Sequence, residues 1–355
     1  MKTKQKQNET QPLSSEMKKP KGYRHRSSFE QTLLGFMENF SFYVTFLLAM
    51  YFIMIIPEII KFNKEINSTD DPFFYLELLY VPLGCVASYL MLKMTKHVFK
   101  AFLERNMVET KFRKETDEQR FDRLANNIHG LLYYSVFIVI AYNLIKDTDL
   151  LPRLLGGELH KNDMNSSWPK NVDWKVRAYF NLSFGHHLER LISLIAHKRH
   201  SSDFFVMNLH HFITFFLMLV CYSMRQMHLG VPVLFIHDLG EPALNLVKLV
   251  REIKGLRKYL MPVFVFMYIS WLTTRIVIYT VDVLSTLKPL VSSPGPVVSQ
   301  YYFAFLFQVI SLHILGILDY YWVFMVSKIM YDKVTKGKEK VINEGETDDD
   351  KQKHD

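Results

Sequence analysis

Apolar residues fall in blocks of roughly 17 to 25 positions, the length an α-helix needs to cross a bilayer core. The blocks lie near 42–60, 75–96, 130–146, 176–196, 204–223, 229–250, 259–284 and 301–328, with charged residues concentrated between them. This pattern predicts an all-α polytopic membrane protein of about eight transmembrane helices. The fourth and sixth blocks are more polar than the rest. The fourth carries His186, His187, Glu189 and Arg190, and the sixth carries His237, Asp238, Glu241 and Lys248. Four regions follow: a polar tail over 1–40, two helices and a basic loop over 41–116, a six-span unit over 117–330, and a charged tail over 331–355.

Charge sets the expected orientation. The net charge is +8 over 355 residues, and Lys and Arg cluster beside the spans. The positive-inside rule accounts for this balance without a nucleic-acid partner. It places "KKPKGYRHR", "HKRHSS", "REIKGLRK" and "KVTKGKEK" in the cytosol, and eight spans then put both termini there. Asn67-Ser68-Thr69 and Asn165-Ser166-Ser167 are glycosylation sequons that fall in the opposite, lumenal loops. The final "KQKHD" resembles a dilysine retrieval signal and points to the endoplasmic reticulum membrane. No cleavable signal peptide is expected in the polar first 40 residues. The two cysteines, Cys85 and Cys221, lie in apolar blocks, which excludes a disulfide framework and a cysteine zinc site. No metal or cofactor is expected.

The candidate chemistry starts at "DFFVMNLHHFITFF", where His210 and His211 stand in an apolar run. His210 and Thr214 are four apart and share a helix face. In the next block Asp238 and Glu241 are three apart, with His237 beside them and Lys248 about two turns further on. The link between the two blocks is short, which favours antiparallel neighbours, so the histidine pair and the acidic pair are expected to face each other inside the bilayer. A charge facing lipid at that depth costs several kcal/mol, so these groups belong in a cavity or against one another. A buried carboxylate orients an imidazole and supports its charged form. That imidazole can take a proton from an amine or hydroxyl, or attack an acyl carbon. A structural network that only ties helices together is the other reading of the same residues.

At these residues the sequence resembles the TLC-domain family, and within it the ceramide synthases. The resemblance rests on Asp203-Phe204, Met207, His210-His211, Thr214, Cys221-Tyr222, Gly230, His237-Asp238, Glu241, Leu244 and Lys248, in register across 46 residues with the family's Lag motif. It extends more weakly over about 117 to 330, and the two spans before that resemble the fungal-type arrangement. It implies six helices around a lipid cavity and N-acylation of a sphingoid long-chain base by a fatty acyl-CoA. His210, His211, Asp238 and Glu241 then map to catalytic positions, His210 as the favoured acyl carrier. Thr214, Tyr222, His237 and Lys248 map to substrate contacts. Fatty acyl-CoA is a co-substrate, the sphingoid base and membrane lipid are partners, and a homo- or heterodimer is left open. Asp238-Leu239-Gly240-Glu241 departs from the family's Asp-x-Ser-Asp, and Cys221, Arg225 and His228 replace a Ser, an Asn and an Arg. These departures put substrate preference in doubt more than fold. The alternative is a non-catalytic TLC relative that binds lipid or assists translocation. A di-iron hydroxylase is disfavoured, because each iron needs several imidazoles in boxes this chain lacks.

Overall fold

The computed structural model describes residues 28–70, 76–107, 116–159, 172–197, 204–292 and 295–335. The chain is an all-α polytopic membrane protein. Helix α1 spans Ser28–Asp70, α2 Tyr80–Asn106, α3 Asp117–Ile145, α4 Trp174–His197 and α5 Phe204–Ser223. Then come α6 Met227–Leu239, α7 Glu241–Glu252 and α8 Leu260–Trp271. The last runs into a π-helical stretch, Leu272–Leu284, and on into α9, Ser285–Ser292. A short α10, Pro296–Gln300, precedes α11, Tyr302–Thr335.

Among the described residues, six segments are long and apolar enough to cross a membrane: Gln31–Glu65, Leu76–Asn106, Asp117–Ile145, Phe204–Ser223, Arg257–Lys288 and Tyr302–Asp332. They match six of the eight expected blocks. The expected fourth span is one 24-residue helix, α4, whose polar side chains lower its apolar character. The expected sixth span is not one helix. It breaks at Gly240 because Pro242 has no N–H to offer Asp238, and its ring would crowd that carbonyl. At the break the Gly240 carbonyl accepts from Leu244 N–H at 3.4 Å and from Trp271 Nε1 at 3.2 Å. A Cβ at position 240 would meet the Trp271 ring at 2.8 Å, so the indole occupies the space a side chain would need. Asp238 and Glu241 therefore sit on two helices, not on one helix face as expected.

The packing order follows α1, α5, α4, α2, α3, α7, α8 with its π stretch, and α11, which returns to α1. Helix α6 lies inside this ring and is buried at every residue from Met227 to Asp238. The first two helices are thus part of the same bundle. Helix α1 packs on both α5 and α11, and α2 packs between α3 and α4. The outer faces are apolar: Phe46, Leu47 and Met54 on α1, Met94 and Val98 on α2 and Phe303 on α11 are all exposed. In the apolar window of α1 only 11% of residues are buried, which suits a helix whose surroundings are lipid rather than water.

Local signals explain where helices begin and how closely they approach. Thr116 and Gln119 form a capping box at the start of α3, with Asp117 and Glu118 in its first turn complementing the helix dipole. Helices α2 and α4 cross backbone to backbone. A Cβ on Gly84 would overlap the Leu182 carbonyl, and one on Gly185 would overlap the Val81 carbonyl. Backbone cannot yield as a flexible side chain would. Gly185→Ala is therefore expected to destabilise the protein by about 1–3 kcal/mol, the usual range for overpacking, read as a lower melting temperature in detergent. An unchanged melting temperature would show that the two helices separate freely.

Candidate functional site

The polar interior is assembled from α4, α5, α6, α7, the π stretch and α11. Its centre is His237, at the end of α6. His237 Nδ1 lies 2.8 Å from the Val233 carbonyl, and Nε2 lies 3.1 Å from Asp319 Oδ2 on α11. Both ring nitrogens face acceptors, whereas a neutral imidazole carries one proton. Arg275, from the π stretch, completes the centre. Its Nη1 donates to Asp319 Oδ1 at 3.2 Å, and its Nη2 donates to the His237 carbonyl at 2.9 Å and to Glu241 Oε1 at 2.8 Å. The guanidinium also lies over the Trp271 ring, 5.4 Å from its centroid. Arg275 and Asp319 are almost fully buried, 4% and 2% exposed, so neither charge can rely on solvent. Wide-turned π segments occur often at functional sites, and this one delivers Arg275 to the centre.

The histidine pair on α5 borders this centre. The His210 ring lies 6.4 Å from the His237 ring and 5.2 Å, edge on, from Trp322. The His211 ring lies 5.4 Å from that of His210. His210 Nδ1 is buried and has no hydrogen-bond partner. Thr214 does not reach an imidazole: its hydroxyl donates to the His210 carbonyl at 2.9 Å and stays on its own helix.

Asp238 turns the other way, toward α4. Its Oδ1 lies 3.6 Å from His187 Nε2, an ion-pair distance but too long for a hydrogen bond. Its Oδ2 is buried without a hydrogen-bond partner. A buried polar atom without a partner calls for an explanation, a catalytic role among them. The expected facing of the histidine pair and the acidic pair is replaced by other partnerships. His210 faces His237 with its acid Asp319, while Asp238 takes His187 as its imidazole. Glu241 holds Arg275 rather than an imidazole.

Two expected contacts lie elsewhere. Tyr222 follows His211 by eleven residues, roughly 16 Å of helix. Its hydroxyl donates to Glu77 Oε2 at 3.1 Å, and the Glu77 carboxylate also takes the Arg177 guanidinium on both oxygens at 2.7 Å. Tyr222 therefore helps fasten the start of α2 to α4 and α5. Lys248 is half-buried on α7, about 10 Å along the axis from Glu241. The sequon at Asn67 falls within the last turns of α1 rather than in a loop. Asn165, Asp203, Lys198, Arg199 and the terminal "KQKHD" lie outside the described residues.

Sequence reasoning left out Arg275, Asp319 and His187. A signal for the first two was present, since each is a charge deep inside a largely apolar span, and such charges seek partners.

A family comparison covers the region that holds these groups. The profile of a family described as the TLC domain matches residues 123–328. A relative named ceramide synthase hyl-2, from Caenorhabditis elegans, is 25% identical over 268 residues, covering 71% of this chain and 75% of its own. Ceramide synthase 4 from Homo sapiens is 28% identical over 164 residues, 45% of this chain and 39% of its own. Ceramide Synthase FUM18 from Gibberella moniliformis is 25% identical over 166 residues, 46% of this chain and 36% of its own.

Proposed function

The chain belongs to the TLC-domain family, and from that premise we propose that it is a ceramide synthase, joining a fatty acyl group from acyl-CoA to the amine of a sphingoid long-chain base. The observation that carries this reading is a pair of buried, unpartnered atoms in one polar interior: His210 Nδ1 and Asp238 Oδ2. One is a nucleophile or base without a partner, and the other is an acceptor without a donor. The names of the relatives supply the substrate classes.

The geometry supports the following roles. His210 Nδ1 attacks the thioester carbonyl, a C–N bond forms as the C–S bond breaks, and the thiolate of CoA leaves. The amine of the base, held by Asp238 Oδ2, then attacks the acyl-imidazole. The amide forms and His210 is regenerated. His211 and His187 stand beside these two groups to take the protons released. The His237–Asp319–Arg275–Glu241 set acts as a fixed charged wall that positions the α6 end and shapes the field at His210. Lys248, two turns beyond Glu241, is the basic residue assigned to the CoA phosphates. On this reading the protein resides in the endoplasmic reticulum membrane, with both termini in the cytosol.

The test is a panel assay. Purified protein in proteoliposomes receives acyl-CoAs of graded length and a sphingoid base, and lipid mass spectrometry reads the product. An N-acylated base that depends on both substrates is expected. Absence of product across the panel, from protein that remains folded, would overturn the assignment and favour a lipid-binding role.

A further inference from the structure

Helix α11 carries two polar side chains that the reaction centre does not use. Gln308 and Ser311 are both 0% exposed. Neither the amide oxygen nor the amide nitrogen of Gln308 has a hydrogen-bond partner among the described residues, and the Ser311 hydroxyl has none either. Both side chains point into the bundle. Gln308 precedes Ile317 by nine residues and Ser311 precedes Tyr320 by nine, which is half a revolution of helix. Ile317 and Tyr320 lie on the outer face, 50% and 48% exposed.

Their neighbours along the helix are apolar. Phe307, Val309, Leu312 and Leu315 all belong to the main core. Phe307 packs on Phe52 of α1 with centroids 5.9 Å apart, and Phe52 packs on Phe216 of α5 at 4.3 Å. The Tyr279 hydroxyl reaches this stretch of α11 but donates to the Leu312 carbonyl at 2.7 Å. Other hydroxyls in the bundle turn back on their own helix: Thr214, Thr274 and Ser327 each donate to the carbonyl four residues earlier. Ser311 does not. A leucine at 308 would fill similar space without the cost of desolvating an amide. An amide and a hydroxyl kept together at this depth call for a partner from outside the chain.

The helix sets their distance from the chemistry. Gln308 is eleven residues before Asp319 and Ser311 is eight, so they lie about 16 and 12 Å along α11 from the reaction centre. Eleven residues return to the same face within about 20°, so Gln308 stands in line with Asp319. An extended chain advances roughly 1.2 Å per bond, so one that starts at His210 and follows the inner face of α11 meets this pair after roughly 10 to 14 bonds.

We propose that Gln308 and Ser311 are specificity-determining residues that receive a hydroxyl on the distal half of the fatty acyl chain, which makes a hydroxyacyl-CoA the preferred donor; this rests on the acyl transfer proposed above. A hydroxyl both accepts and donates, so one such group takes a bond from the Gln308 amide nitrogen and gives one to Ser311 Oγ. The sphingoid base does not supply it, because its hydroxyls stand within a few bonds of the amine and stay beside the reacting carbon. A plain chain leaves the amide and the hydroxyl unpaired, and that difference discriminates between donors.

The test uses full-length protein in liposomes with a sphingoid base and octadecanoyl-CoA, 2-hydroxyoctadecanoyl-CoA or 12-hydroxyoctadecanoyl-CoA, for wild type, Gln308→Leu and Ser311→Ala. Wild type is expected to favour the 12-hydroxy chain over the plain one about tenfold in kcat/KM, with no such gain for the 2-hydroxy chain. Gln308→Leu should bring the ratio to about one. Ser311→Ala should lower it about threefold, and gives the readout if Gln308→Leu fails to fold. Equal use of the plain and 12-hydroxy chains by a wild type that forms amide overturns the inference and leaves the acyl transfer intact. So does a 12-hydroxy preference that both variants keep. A wild type that forms no amide from any donor overturns the acyl transfer, and melting temperature then decides the site. A larger rise with 12-hydroxyoctadecanoate than with octadecanoate, lost in Gln308→Leu, supports it, and equal rises overturn it.

Discussion

Arg275→Ala is expected to lower stability by about 3–5 kcal/mol, the cost of removing one partner from a buried ion pair. The reason is the company Arg275 keeps. It is the donor shared by Asp319, Glu241 and the His237 carbonyl, and all of these lie inside the bundle. Its loss leaves the Asp319 and Glu241 carboxylates without their shared cation. Thermal unfolding in detergent, followed by tryptophan fluorescence, reads the change. Arg275→Lys should recover only part of it, because an ammonium cannot bond two carboxylates and a carbonyl with the fixed fork of a guanidinium. The double change Arg275→Met with Asp319→Leu should cost less than Arg275→Ala alone, since it removes both signs of charge together. A near-normal melting temperature for Arg275→Ala would mean that the network does not hold the interior together.

The second large effect concerns rate. His210→Ala should reduce acyl transfer by roughly two to four orders of magnitude, the range for a positioned proton-transfer group, and more if the imidazole carries the acyl chain. Stability should change little, because no hydrogen bond is made by His210 Nδ1. The change also removes the ring contacts to Trp322, His237 and His211. Separation of the two effects is informative. Loss of turnover with the fold preserved assigns His210 to the reaction. Loss of both would place it in the structural network instead.

The sequence showed some of this directly and hid the rest for physical reasons. Apolar block length marks a crossing helix because the bilayer fixes that length, so six of the eight blocks appear as expected. The broken sixth span was also written in the chain. Gly240-Glu241-Pro242 pairs a weak helix former with a residue that has no N–H, a combination that favours a break there. The approach of His210 to His237 followed from the short link between α5 and α6. The partner of each acid did not follow. His237 finds Asp319 some 82 residues away, and Asp238 finds His187 on a helix earlier in the chain. Helix periodicity reports faces within a helix, not which faces meet.

The central claim is that this interior transfers an acyl group to an amine. The most direct measurement supplies purified wild-type protein in liposomes with a heavy-carbon acyl-CoA and a deuterated sphingoid base, and weighs the lipids formed. The account predicts one new lipid whose mass carries both labels, formed at the rate at which free CoA appears. Free CoA without a doubly labelled lipid, or neither from folded protein, would contradict it.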